Sequence, residues 1–97
     1  MEYIIYPTFE KIKLPEKGYF CKGDSGNEIL IISSFLACNF IGFESKTGVK
    51  IDDMLGSYFG NNLEIWIKEF QKINNLKTDG CIGNITLEKL REYGLSL

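Results

Sequence analysis

Leu76-Lys77-Thr78-Asp79-Gly80-Cys81-Ile82-Gly83 decides the reading of this chain, because its pattern has already occurred once, in register, at Val49-Lys50-Ile51-Asp52-Asp53-Met54-Leu55-Gly56. Gly83-Asn84 lies ten residues before Tyr93, and Gly60-Asn61 lies ten before Phe70. The first copy carries four extra residues around Ser57 to Gly60. The repeated unit is a tight turn, an apolar plug and a glycine that opens a helix.

Working outward, the helix after the second unit runs from about Asn84 to Tyr93 and buries Leu87 and Leu90, with Gly94 where a C-cap glycine belongs. The helix after the first unit spans about 61–73. Leu63, Trp66, Ile67 and Phe70 fall at i, i+3, i+4 and i+7, with Glu64, Lys68, Glu69 and Lys72 opposite. Asn74 and Asn75 then tolerate a left-handed cap. A further helix is expected near 25–40. Ser25 and Glu28 have capping-box spacing after the turn residues Gly23 and Asp24, and Ile29, Ile32, Phe35 and Leu36 follow on one face. Ile29 to Ile32 could open a strand, but the apolar run continues too long and too regularly for one.

Upstream, Pro15 and Gly18 mark a boundary. Tyr3-Ile4-Ile5-Tyr6, stopped by Pro7, reads as an extended arm. The expected architecture is all-α: an N-terminal arm over 1–17 and a small three-helix bundle over 18–97. Its core holds Ile29, Ile32, Leu36, Leu63, Trp66, Ile67, Phe70, Ile82, Leu87 and Leu90.

Composition narrows the chemistry. A chain of 97 residues makes one modest core rather than a two-lobed catalytic cleft. It has no histidine, so the commonest general base and metal ligand are both missing. A net charge of −2 offers no basic excess for nucleic acid. Cys21, Cys38 and Cys81 are odd in number and widely spaced, which fits neither a disulfide framework nor zinc, and buried reduced thiols are expected. The uncharged run from Ile29 to Phe43 is too short to span a bilayer, and residues Met1 to Pro15 contain no signal-peptide h-region, so synthesis in the cytoplasm is expected. All but one of the basic residues are lysine, the usage of an AT-rich bacterial or phage genome.

Gly18-Tyr19-Phe20, Gly23-Asp24-Ser25-Gly26, Ile29 and Ile32, followed by Phe70-Gln71, Leu76, Asp79-Gly80, Ile82-Gly83 and Thr86, resemble the peptidoglycan-binding domains of phage endolysins and clostridial lysozymes. The family pattern is GYF, GDxG and VxxLQ, then FQ, L and DGxxGxxT, and the resemblance covers residues 14–93. It implies a non-catalytic module that holds bacterial cell wall, targeting or accompanying a lytic enzyme's catalytic chain. Four positions depart from the pattern. Ser33 replaces a glutamine, Asp53 a turn glycine, Leu63 a threonine, and Trp66 a small residue.

The residues themselves exclude several other chemistries. Ser25 in its glycine-rich loop has no histidine to activate it. Asp52, Asp53 and Asp79 lack the alternating oxygen ligands of a calcium loop and read as turn residues. Glu88 and Glu92 form a solvated helix face rather than a glycosidase pair. No catalytic residue, metal or cofactor is expected. Tyr19, Phe20, Tyr58 and Phe59 lie in loops and could stack on a sugar ring or lactyl-peptide. With Asp79, Gly80 and Gly83 of the second turn they form the expected ligand surface.

A second functional class stays open: a docking or structural subunit that keeps the fold without the ligand. The outward face of the first helix, Leu30, Ile31, Ser33, Ser34, Ala37 and Cys38, carries no charge and is expected to be covered. Either the arm folds over it, or a second copy meets it in a homodimer.

Overall fold

The structure, a computed structural model, describes residues 12–95. The arm segment Tyr3-Ile4-Ile5-Tyr6 and the last two residues lie outside that range. The described residues form α1 (Asn27–Asn39), α2 (Phe43–Thr47), α3 (Ile51–Met54), α4 (Asn61–Ile73) and α5 (Asn84–Glu92). The three long helices fall where the periodicity places them. Two short helices, α2 and α3, are additional, and both pack against α4.

The helix ends show how local sequence sets the boundaries. Asn75 takes a left-handed φ of 59°, and the Leu76 N–H returns to the Gln71 carbonyl at 2.9 Å. At the end of α5, Gly94 takes φ 121° and the Leu95 N–H returns to the Leu90 carbonyl at 3.1 Å. Both are six-to-one closures that satisfy orphan carbonyls and tuck an apolar residue back against the core. The N-terminus of α1 differs from expectation. Ser25 does not cap it; Gly26 is the N-cap, with no side-chain cap hydrogen bond. Ser25 is instead held extended in an antiparallel bridge with Tyr58, and the Gly26 N–H donates to the Ser57 carbonyl at 2.8 Å.

That bridge is one of two that zip the loop before α1 onto the repeated units. Phe20 and Ile82 exchange backbone hydrogen bonds of 3.0 and 2.8 Å. Near the other bridge, the Gly23 N–H donates to the Phe59 carbonyl and the Phe59 N–H to the Asp24 carbonyl, both at 2.8 Å. Ile82 and Phe59 are therefore counterparts. Each is fully buried, and each immediately precedes the glycine that starts a helix. Gly60 (φ −104°, ψ −167°) and Gly83 (φ −95°, ψ −164°) have nearly the same backbone. The four extra residues of the first unit thus lie ahead of the functional glycine, and Gly60, not Gly56, opens α4.

The cysteine expectation is overturned. Cys21 and Cys81 are disulfide-bonded with their Cα atoms 4.6 Å apart, and Cys38 is exposed rather than buried. The cause is tertiary. Phe20 and Ile82 form a hydrogen-bonded antiparallel pair, so the next residues, Cys21 and Cys81, face each other as a close non-hydrogen-bonded pair. Nothing in a separation of 60 residues announces that meeting.

All ten expected core residues are buried, joined by Ile12, Phe20, Phe43, Met54, Phe59 and Leu95. Trp66 is fully buried; its ring meets Phe43 edge-on at 5.5 Å and its Nε1–H donates to the Val49 carbonyl at 3.0 Å. The bulky residue that departs from the family pattern thus anchors α2 and the chain entering α3. Complete burial of a large side chain contributes about 2–3 kcal/mol, and here the indole also keeps a hydrogen-bond partner.

Candidate functional site

The second unit is organised from inside by Gln71, which is buried. Its two Nε2 hydrogens are shared among three acceptors, Asp79 Oδ1 (3.1 Å), the Cys81 carbonyl (2.9 Å) and Thr86 Oγ1 (3.1 Å), while its Oε1 accepts from the Gly80 N–H at 2.9 Å. Asp79 also accepts from the Cys81 N–H at 2.9 Å. Gly80 needs both its positive φ of 78° and its missing side chain, because a Cβ there would lie 2.8 Å from Glu64 Cγ. The Asp-Gly turn is therefore a rigid wall built by buried polar bonds.

Ser33 does the same for the first unit. Also buried, its Oγ donates toward the Gly56 carbonyl at 3.0 Å and accepts from the Gly56 N–H at 3.1 Å. Leu63, the counterpart of Thr86, is buried too. Three of the four departures from the family pattern, Ser33, Leu63 and Trp66, point inward. They change how the turns and α4 are held, and Leu63 also borders the groove beside α4.

Each unit leaves a groove beside the first turn of its helix. The groove at α5, of about 280 Å³, is lined by Leu76, Lys77, Asp79, Cys81, Gly83, Asn84, Ile85 and Thr86. Its apolar rim includes Ile85, 70% exposed. The groove at α4, of about 370 Å³, runs from Asp53 to Leu63 and is lined by more polar atoms.

The expected ligand residues divide accordingly. Tyr19 and Tyr58 are exposed, Tyr19 with the Lys17 ammonium 5.2 Å from its ring centre. Asp79 and Gly83 line the α5 groove. Phe20 and Phe59 are corrected. Both are core residues, each pulled inward by the backbone pairing that fastens its segment, and neither offers a ring face to a ligand. Gly80 is buried and its N–H is already engaged by Gln71, so it shapes the turn. Sequence reasoning missed Ile85 and Asn62 as groove residues. Ile85 sits one position off the buried stripe of α5, an exposed isoleucine that helix phase alone could have exposed.

Lys17 and Asp24 fix the loop that carries Tyr19. The Lys17 ammonium lies 2.8 Å from the Asp24 carboxylate, which also accepts from the Cys21 N–H at 2.8 Å. The lysine first, then the backbone donor, hold the Asp24 carboxyl below its ordinary range. Among the described residues, no three Cys, Asp or Glu side chains gather as a metal site would require. None of the described helices is long and apolar enough to cross a membrane.

Two turn-plug-helix units, zipped to one preceding loop and each opening a surface groove, make up a small helical domain. The family model for peptidoglycan binding domains matches residues 26–90, well over half of the chain, and the chain belongs to that family. No curated protein and no solved structure matches it. Membership supports peptidoglycan binding in general and action at the cell wall.

Proposed function

We propose that this chain is a non-catalytic module that holds a phage or bacterial lytic activity on the cell wall, supplied by a catalytic chain or domain elsewhere. The observation that carries the reading is family membership over the part of the chain that builds both turn units. The ligand surface consists of the exposed rings Tyr19 and Tyr58 and the α5 groove between Asp79 and Ile85. The chain has no histidine to serve as a general base, and the buried polar side chains Gln71 and Ser33 are engaged in holding turns, which supports a non-catalytic role. Incubating the purified chain with sacculi tests this half of the proposal. No reducing ends or free amines should appear, and their release refutes it.

The disulfide supports an address outside the reducing cytoplasm, since such bonds persist in oxidising surroundings. Open grooves of this kind bury little ligand, so affinity per site should be micromolar or weaker, about −8 kcal/mol at best. We further propose that α1 pairs with a second copy. Leu30 and Cys38 are exposed on its outer face, while Ile31, Ser34 and Ala37 are half-buried. A dimer would offset weak site affinity by multivalency. Light scattering at high micromolar concentration checks it. A dimer mass abolished by Leu30→Lys with Ile31→Lys is expected, and a monomer mass for the unaltered chain contradicts it.

A further inference from the structure

The repeat has a consequence for the ligand. If the α5 groove takes wall material, its counterpart at α4 lies beside a helix opened by the same glycine backbone, with α3 and the four extra residues changing its lining. Gly60 opens α4 with the backbone that Gly83 gives α5, and Ser33 stiffens the turn beside it as Gln71 stiffens the other. The α5 groove is lined by Leu76, Ile85 and the disulfide-bonded Cys81 among others. The α4 groove instead exposes Asp53, Ser57, Asn61 and Asn62 beside one aromatic ring, Tyr58.

We infer that the α4 groove is a saccharide subsite, taking an N-acetylated sugar of the same wall polymer. Tyr58 supplies the platform. The ring is 61% exposed, yet it is not free to wander. Its Cε2 and Cδ2 lie 3.3 and 3.4 Å from where a Cβ on Gly60 would stand, so one edge rests on the glycine. Its backbone is fixed by the pairing with Ser25. A held, exposed aromatic ring suits the C–H face of a pyranose, at low entropic cost to the protein.

The polar groups complement it. Asn62 donates one amide hydrogen bond to the Asp53 carbonyl at 3.1 Å, which orients its side chain and leaves Oδ1 to accept from a sugar hydroxyl or acetamido N–H. Asn61 Oδ1 accepts from Lys22 Nζ at 3.0 Å, leaving its amide N–H groups to donate. The Ser57 hydroxyl completes a rim of donors and acceptors around one stacking surface. The exposed ring of Tyr58 is what favours a sugar here, since its face can take the C–H face of a pyranose while these groups meet the ring's hydroxyls and acetamido group.

This inference rests on the wall-binding proposal, and its test separates the two. Binding is measured to intact sacculi and to peptide-free glycan of alternating N-acetylglucosamine and N-acetylmuramic acid, for the unaltered chain, Tyr58→Ala and Ser57→Arg. The unaltered chain should bind both probes. Either substitution, on an exposed side chain, should weaken glycan binding about tenfold or more with the helical signal unchanged, the scale of losing one anchoring contact. Sacculus binding that neither substitution changes overturns the subsite and leaves wall binding standing. Binding to sacculi without binding to peptide-free glycan overturns the saccharide assignment. If the unaltered chain ignores sacculi, the wall-binding proposal fails and the subsite with it.

Discussion

The Gly80 N–H donates to Gln71 Oε1 at 2.9 Å from inside a buried turn, so one glutamine side chain ties the Asp-Gly turn to α4. Gln71→Leu keeps the volume and removes every one of these bonds. It leaves the Gly80 N–H and the Cys81 carbonyl short of partners, which should cost about 3 kcal/mol of stability. Urea denaturation measures it; a loss under about 1 kcal/mol would mean the turn is held by other means.

The Cys21–Cys81 bond closes a loop spanning most of the domain, its ends 60 positions apart. Chain-entropy estimates for a loop of that length give about 4 kcal/mol. Reduction, or serine at both positions, should lower the melting temperature sharply. An unchanged melting curve under reductant would show that the two thiols are not joined in solution.

Trp66 is fully buried and bonded to the Val49 carbonyl. Its fluorescence should be blue-shifted in the native state, and Trp66→Ala should cost about 3–5 kcal/mol. A solvent-like emission maximum would remove it from the core.

Asp24 gives the fold a pH dependence with a definite sign. Its folded pKa is lowered, chiefly by Lys17 and then by the Cys21 N–H. Its contribution is therefore full above the unfolded carboxylate value of about 3.9 and fades as pH falls through the lower folded value. Asp24→Asn should be less stable than the unaltered chain at pH 7, with the two curves converging in strong acid. A gap that widens on acidification contradicts the assignment.

The parts of the fold legible in sequence were those with enough length to show a period. α4 and α5 stand where Leu63 to Phe70 and Leu87 to Leu90 place them. α2 and α3, with five and four residues, carry too little pattern to separate from loop. Phe59 was misplaced because the repeat was aligned on Gly56. The equal spacings from Gly60-Asn61 to Phe70 and from Gly83-Asn84 to Tyr93 already made Phe59 the counterpart of buried Ile82. The inward roles of Ser33 and Gln71 required coordinates, since a polar residue beside an apolar stripe reads equally well as surface. Cys21 and Cys81 meet only through the Phe20–Ile82 pairing, a long-range event with no local signature.

Cosedimentation with purified sacculi, titrated over the micromolar range for the unaltered chain and for Ile85→Arg, tests wall binding most directly. Ile85 is 70% exposed at the rim of the α5 groove, so the substitution should leave the fold intact. Saturable binding by the unaltered chain, with a Kd of about 1 μM or weaker, and clear weakening by Ile85→Arg are the expected results. No sedimentation of the unaltered chain above an inert-particle control would contradict the account.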